Sequence, residues 1–167
     1  MANLSYAFTP FKIDNHIILR PMLPVTLKYG DIEFPTMLLI DSGADYSMLR
    51  REIVEDVFQI SVDSLEKVET TQGIAGKTDV GVLDITIIFG KENLYFEEKI
   101  PFRIPLDPDK DVPISLLGRI PFFYRYRIDF RMGYTTDPAL GKFVIYPEKH
   151  KRKADKYAHP FKISKEK

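Results

Sequence analysis

The chain has 167 residues, with 24 Lys/Arg, 24 Asp/Glu, no cysteine and 44% apolar residues. This is ordinary for one globular domain, and the lack of cysteine excludes disulfides, zinc–thiolate sites and thiol nucleophiles. The net charge of zero hides an asymmetry, because residues 148–167 carry eight Lys/Arg against three Asp/Glu. No nucleic-acid-binding motif accompanies this basic tail, so we interpret it as solvated and expect no nucleic-acid partner.

Nothing in the sequence indicates transfer into or across a membrane. The first 16 residues lack a basic segment followed by an apolar one, which argues against a signal peptide. No apolar run approaches the roughly 18 residues that a membrane-spanning helix needs. We therefore expect no membrane partner and a cytoplasmic location.

The first predicted elements are a pair of strands and a helix. The runs LPVTLKY and FPTMLLI are strand-like, and the intervening GDIE is a plausible turn. Residues 47–58, SMLRREIVEDVF, carry apolar side chains at helical spacing, which predicts a short helix.

Two antiparallel hairpins are predicted further along. Residues 82–104 alternate between apolar and polar side chains around the turn GKEN, which predicts a long hairpin. Glu98 interrupts its apolar face, whereas Arg103 falls on its polar face. The runs YRIDFRM and KFVIYP predict a second hairpin across the loop GYTTDPALG, and Pro121 is placed to open a short helix before it.

The stretch PTMLLIDSGADYSML, residues 35–49, carries the strongest functional signal. Asp41 directly follows an apolar strand, where a buried charge is costly unless it is compensated. Ser42 can donate a hydrogen bond, Gly43 permits positive φ and a close backbone approach, and Ala44 leaves the site uncrowded. Surface turns and helix N-caps use the same residues, so this stretch alone leaves both a catalytic carboxylate and an ordinary turn open.

Two later stretches bear on that choice. Residues 70–81, TTQGIAGKTDVG, contain a glycine-rich loop that could close over a bound chain or simply connect two strands. Residues 112–126, VPISLLGRIPFFYRY, run from an apolar segment through Gly118 and Arg119 to Pro121. They could also be a core strand followed by a helix with no further role.

In this order the three stretches resemble the retropepsin-like aspartic proteases. That family combines an apolar strand ending in Asp-Thr/Ser-Gly-Ala, a glycine-rich flap hairpin, and two apolar residues followed by Gly, often Arg, and a helix. The stretches that resemble these features are Asp41-Ser42-Gly43-Ala44, the loop Gly73-Ile74-Ala75-Gly76, and Leu116-Leu117-Gly118-Arg119. The resemblance implies a mainly β fold, a small closed barrel of the retropepsin-like (acid protease) type with one or two short helices.

The resemblance covers roughly residues 20–147 and implies a division of the chain and a set of roles. Residues 1–19 become an N-terminal extension, 20–147 a retropepsin-like domain, and 148–167 a basic C-terminal tail. The implied catalytic residues are Asp41, Ser42 and Gly43; those of the substrate site and flap are Ala44, Asp45, Gly73, Ile74, Ala75 and Gly76; those that support the site are Leu117, Gly118 and Arg119. An ion pair between Asp45 and Arg119 would tie the active-site loop to the helix, and Tyr46 stands where some viral relatives carry a second acid.

A single motif implies two chains. Aspartic proteolysis needs two carboxylates that share one proton, one to activate water and one to hydrogen-bond the peptide carbonyl. This sequence has one Asp-Ser-Gly, and the small-residue turn is missing at Asp45, Asp107, Asp109, Asp111 and Asp129. The resemblance therefore implies a homodimeric aspartic endopeptidase, acting on polypeptides with one Asp41 from each chain.

The sequence also allows other interpretations. The main alternative is a non-catalytic β-barrel dimerisation or binding module that retains the fold. Residues 107–113 resemble the start of a calcium loop, but Val112 and Gly118 stand where an EF-hand needs Gly and Glu. The histidines show no metal-ligand spacing, and neither a Walker A motif nor GxGxxG is present, so we expect no metal and no cofactor.

Overall fold

The computed structural model describes residues 3–73, 76–132 and 141–148, and these are mainly β-strand. The strands are β1 (Leu4–Ala7), β2 (Thr9–Ile13), β3 (His16–Arg20), β4 (Met22–Tyr29), β5 (Ile32–Ile40), β6 (Glu69–Gly73), β7 (Gly76–Lys91), β8 (Leu94–Pro105), β9 (Leu116–Leu117), β10 (Tyr126–Arg131) and β11 (Lys142–Pro147). The described helical segments are short: a π-helix at Ile53–Val57, 3-10 turns at Val62–Ser64 and Pro108–Lys110, and α1 at Phe122–Arg125. The predicted loop at 133–140 and the tail from 149 onward lie outside the described residues.

The strands pair in three sheets. The largest has the order β6-β7-β4-β5-β9, and β8 pairs with β7 as well. A second sheet has the order β1-β11-β10, and β2 pairs with β3. The predicted strand pair β4–β5 is confirmed, with Tyr29 opposite Ile32 and Gly30 at a φ of 57° that a glycine adopts easily.

Both predicted hairpins are present. β7 and β8 pair antiparallel from Val80–Pro105 to Lys91–Leu94, and β10 pairs antiparallel with β11. Within the described residues, pairing leads from β8 through Met48 to β9 and back through β5 and β4 to β7. Because the steps at Met48 are single bridges, these residues form a sheet wrapped around the core rather than a regular closed barrel.

The core lies inside this wrapped sheet. The alternating apolar side chains of β7 and β8 point into it, and the fully buried ones are Ile85, Ile87, Ile100, Phe102 and Ile104. Leu4, Tyr6 and Phe8 join the same core, so part of the predicted N-terminal extension packs with the remainder of the chain. The boundary between residues 19 and 20 stays a prediction.

The predicted helix at 47–58 is wrong in its first part. Met48 exchanges two backbone hydrogen bonds with Leu116, of 3.0 and 2.9 Å, and is therefore extended. Helical structure in this segment is limited to residues 51–57, and Ile53–Val57 takes the wide π form. The apolar spacing is compatible with both shapes, and the tertiary pairing with β9 decides between them.

Glu98, which interrupts the apolar face of β8, is satisfied inside the protein. It is 8% exposed, and its Oε1 accepts a hydrogen bond of 2.6 Å from the Tyr126 hydroxyl. Its Oε2 forms an ion pair with Arg125 at the end of α1. A buried carboxylate needs such partners, and here they fasten α1 and β10 to β8.

Among the described ranges there is no helix with the length and apolarity to span a bilayer. The cytoplasmic location stays a prediction.

Candidate functional site

The Asp41 carboxylate lies in a tight turn at the carboxyl end of β5. Its Oδ1 accepts a hydrogen bond of 2.8 Å from the Gly43 amide, and its own amide donates to the Leu117 carbonyl at 3.1 Å. Asp41 is half-buried, whereas Ser42 and Gly43 are exposed. The turn therefore presents a fixed carboxylate at the surface of the single chain.

The short strand β9 holds this turn from one side. It pairs parallel to β5, with Leu39 opposite Leu116 and Ile40 opposite Leu117. On its other flank, β9 bonds to Met48, which follows the turn. β9 thus lies between the strand that leads into Asp41 and the segment that leads away from it.

Gly118, the residue after β9, contacts the segment that follows the Asp41 turn. Its amide donates to the buried Ser47 hydroxyl at 3.1 Å. A Cβ atom at Gly118 would come within 2.4 Å of the Tyr46 backbone, closer than any real carbon contact. The close approach of these two backbone segments therefore requires glycine.

Arg119 ties the next residues of the turn to α1. Its amide donates to the Ala44 carbonyl at 2.9 Å, and the Ile120 amide donates to the Asp45 carbonyl at 2.8 Å. The predicted ion pair between the Asp45 carboxylate and the Arg119 guanidinium is present. Both side chains are exposed in the single chain, so this pair is not a buried one.

The Tyr46 ring contacts Arg103 of β8. The guanidinium carbon of Arg103 lies 3.2 Å from the centre of the Tyr46 ring, in a cation–π contact. Arg103 is only 9% exposed, so this position of the predicted polar face is covered by protein rather than by solvent. The bridge between Met48 and β8 covers that end of the strand, which strand alternation alone does not reveal.

Comparison with protein-family models gives no match, and comparison with curated protein sequences gives no relative. Solved structures do match. One is a retropepsin-like aspartic protease from Rickettsia conorii, with a TM-score of 0.53 and 18% identity over 86% of this chain and 91% of that chain. The fold is retropepsin-like.

Another matching structure is EIAV protease in complex with the inhibitor HBY-793. Its TM-score is 0.39, with 21% identity over 60% of this chain and 82% of that chain. At that TM-score nothing further is inferred from it.

The retropepsin-like fold brings together most of the residues predicted for the site. Asp41, Gly43, Ala44 and Asp45 form one turn, and Leu117, Gly118 and Arg119 contact it through the hydrogen bonds described above. Ser42 lies in the turn but makes no hydrogen bond within the described part of the chain. Its predicted role as a brace stays a prediction.

Gly43 does not use the positive φ that glycine permits, since positive φ at described glycines occurs at Gly30 and Gly76. A Cβ at Gly43 would instead lie 3.2 Å from Oδ1 of Asp41, so a side chain here would crowd the carboxylate. The glycine leaves room for the short bond from its own amide to Asp41.

The glycine-rich loop forms the turn of a hairpin in this retropepsin-like fold. β6 pairs antiparallel with β7, and Gly73 lies opposite Gly76, which has a φ of 97°. Ile74 and Ala75 lie outside the described residues. No hydrogen bond or ion pair joins this hairpin to the Asp41 turn within the ranges that the structure describes.

Sequence reasoning missed three residues that hold the site. Ser47 is buried and bonds Gly118, Arg103 stacks on Tyr46, and Arg51 is 8% exposed with backbone carbonyls and carboxylates around it. Serine and arginine side chains are usually exposed to solvent, so the sequence pattern did not predict that these three are buried. The signal for Ser47 was its place within the stretch 35–49, six residues after Asp41.

Among residues 3–73, 76–132 and 141–148, no three His, Asp or Glu side chains lie close enough together to hold a metal ion.

Proposed function

We propose that the protein is an aspartic endopeptidase that works as a homodimer, with Asp41 of each chain supplying one carboxylate. The observation that carries this proposal is the geometry of the Asp41 turn. Oδ1 is held by the Gly43 amide at 2.8 Å, and Oδ2 accepts no hydrogen bond from the described residues. The turn is exposed, so this free oxygen can face a second carboxylate and a water molecule.

The chemistry follows from two carboxylates that share one proton. The ionised carboxylate takes a proton from water, and the water oxygen attacks the peptide carbonyl carbon. The protonated carboxylate hydrogen-bonds the carbonyl oxygen and later helps to protonate the leaving nitrogen. Two carboxylates about 3 Å apart cannot both ionise readily, so their two pKa values belong to the pair. These steps require no metal or cofactor.

A second copy is needed because this chain has one Asp-Ser-Gly turn, and Asp45, the next acid along the chain, pairs with Arg119. A two-fold axis through two exposed Asp41 turns would supply the missing carboxylate from an identical site. The monomer should therefore be inactive.

The substrate that fits this arrangement is an extended polypeptide. Backbone groups of the turn can pair with a peptide as a strand does, with Gly43 and Ala44 leaving space for it. The hairpin β6–β7 would act as the flap that covers the peptide, with Gly73, Ile74, Ala75 and Gly76 at its tip.

The test compares wild type with Asp41→Asn by sedimentation and by cleavage of a broad peptide library. Asp31→Asn is the matched control, because it makes the same change at the other end of β5, roughly 30 Å along an extended strand. We expect the wild type and Asp31→Asn to be dimeric and to cleave peptides with an acidic optimum and pepstatin sensitivity. Asp41→Asn should dimerise but not cleave. Cleavage retained in Asp41→Asn would overturn the assignment of the catalytic carboxylate.

A mixing experiment tests whether the site is shared. When wild type and Asp41→Asn exchange subunits at equal concentrations, only dimers with two wild-type chains should be active. The activity per wild-type chain should then fall to about half, and to about a tenth with a ninefold excess of the variant. A monomeric enzyme would keep its full activity in the same mixture. A stable wild-type dimer without any cleavage would favour the non-catalytic binding module.

A further inference from the structure

The β7 strand of the β6–β7 hairpin is fastened to a loop outside the hairpin. The Lys110 ammonium group, in the 3-10 turn Pro108–Lys110, donates a hydrogen bond of 2.6 Å to the Lys77 carbonyl of β7. The Leu106 amide donates to the Asp79 carbonyl at 2.9 Å, two residues further along β7. Together these bonds join the loop 106–111, which follows β8, to the hairpin strand that follows Gly76.

A charged cluster stabilises the same part of the hairpin. Asp79 forms an ion pair of 2.9 Å with Lys67 and accepts a hydrogen bond of 2.7 Å from the Thr70 hydroxyl of β6. These contacts, with a weaker attraction from Lys110, hold the pKa of Asp79 below its ordinary value. The cluster therefore links both strands of the hairpin and places its carboxylate near the Lys110 ammonium group.

The loop that carries Lys110 is itself anchored to the segment that follows the Asp41 turn. The buried Arg51 donates through Nη1 to the Pro105 carbonyl at 3.2 Å and to the Leu106 carbonyl at 2.5 Å. The Arg51 amide donates to the Asp111 carboxylate at 3.2 Å. Both ends of the loop are thus fixed to one residue, ten positions after Asp41.

We propose that Lys110 is a positioning residue that holds the β6–β7 hairpin, at the pair next to Gly73 and Gly76, against the loop 106–111. Because Arg51 fixes that loop to the segment after the proposed catalytic turn, the Lys110 bond acts with the β7–β8 pairing and the Leu106–Asp79 bond to set the position of the hairpin relative to Asp41. The effect on catalysis rests on the proposed peptidase function, in which this hairpin covers the substrate. Loss of the bond should then weaken peptide binding more than the chemical step.

The simpler alternative is that Lys110 is one of many exposed lysines whose contacts contribute little. The two possibilities differ in what happens to the hairpin. A passive contact can be removed without any change in the hairpin backbone. A fastening contact, when removed, increases opening of the hydrogen bonds between β6 and β7.

The experiment compares wild type with Lys110→Met, Lys110→Arg and Lys99→Met in the full chain. Lys99→Met is the matched control, since Lys99 is an exposed lysine on β8 that pairs with Asp84 at 3.1 Å. Amide hydrogen exchange is measured over residues 69–80, and KM and kcat are measured on a peptide cleaved in the library assay. Within the described residues, neither lysine forms a hydrogen bond with the Asp41 turn. The value of kcat should therefore stay nearly constant and serves as the reference against which the change in KM is judged.

We expect Lys110→Met to accelerate exchange in the hairpin and to raise KM, each by roughly three- to fivefold, with kcat changed less than about twofold. Lys110→Arg should restore both values, and Lys99→Met should match wild type. Exchange in Lys110→Met equal to that in Lys99→Met would overturn the proposal, as would faster exchange with an unchanged KM. If the wild type cleaves no peptide, the proposed function fails. The exchange rates then still decide whether Lys110 holds the hairpin.

Discussion

A Cβ atom on Gly118 would lie 2.4 Å from the carbonyl carbon of Tyr46, so the residue after β9 and the segment after the Asp41 turn touch backbone to backbone. This contact belongs to the set that holds the candidate catalytic turn. Because the two backbones lie this close, the Gly118 amide can donate a hydrogen bond of 3.1 Å to the Ser47 hydroxyl. The glycine is therefore a structural requirement of the site.

The first prediction concerns this contact. Gly118→Ala should lower the free energy of unfolding by about 3 kcal/mol, because either the methyl group or the Tyr46 backbone must move. Gly30→Ala provides the comparison, since Gly30 has a φ of 57° and open space around it. It should cost only about 1 kcal/mol, from backbone strain. Urea unfolding of both variants measures the difference, and equal losses would contradict the close approach.

The second prediction contrasts two arginines. Arg119 and its partner Asp45 have side chains that are 51% and 57% exposed, so Arg119→Ala should cost less than about 1 kcal/mol in the isolated chain. Arg51 is 8% exposed and bonds the carbonyl groups of Pro105 and Leu106. Arg51→Met should therefore cost about 3 kcal/mol, because those groups lose their partner inside the protein. Thermal or urea unfolding tests the order; a larger loss for Arg119→Ala would reverse the interpretation of both sites.

The third prediction compares two buried tyrosine hydroxyls. The Tyr126 hydroxyl bonds Glu98 at 2.6 Å, whereas the Tyr6 hydroxyl is buried with no hydrogen-bond partner in the described part of the chain. Burial, with a smaller contribution from Tyr95, raises the pKa of Tyr6 to about 12. Tyr126→Phe should cost about 1.5 kcal/mol, whereas Tyr6→Phe should be neutral or stabilising by up to about 1 kcal/mol.

Denaturant unfolding of the two Phe variants, with Tyr95→Phe as an exposed control, decides this prediction. Tyr95 is 62% exposed and should show almost no change. A strong loss of stability in Tyr6→Phe would mean that its hydroxyl has a partner that contributes to folding.

The fourth prediction concerns acid. The contacts with Lys67 and Thr70 hold the pKa of Asp79 below its ordinary value. The folded protein therefore prefers the ionised carboxylate more strongly than the unfolded chain does. This contribution to stability is fully present above the ordinary pKa of an aspartate side chain and is lost as the pH falls through the lower pKa of the folded state.

Asp79→Asn should consequently be less stable than wild type at neutral pH, and the two curves should converge in strong acid. Stability measured against pH for wild type, Asp79→Asn and Asp31→Asn tests this sign. A difference that grows as the pH falls would contradict it.

Much of the fold follows from local pattern. The alternation in residues 82–104 predicted the long hairpin β7–β8, because successive strand residues point to opposite faces and one face must be buried. The turn between β4 and β5 was predicted from Gly30, whose φ of 57° suits glycine. These features depend on neighbours in the chain, so one sequence is enough to predict them.

Other features depend on partners that are distant in the chain. Met48 continues a helical spacing, yet two hydrogen bonds to Leu116 make it extended. Arg103 fits a polar face, yet Tyr46 covers it. In both cases a tertiary contact overrides a local preference, and periodicity carries no information about that contact.

The candidate site likewise combines features that depend on local sequence with features that depend on residues distant in the chain. The sequence by itself identified Asp41 and the turn around it, because a carboxylate after an apolar strand and before small residues is a local pattern. Only the tertiary structure decided how the turn is held: β9 lies between β5 and Met48, Gly118 contacts Tyr46, and Arg51 anchors the loop that carries Lys110. The physical reason is that residue type and spacing determine what a segment prefers to form, whereas packing determines which distant backbone and charge it meets.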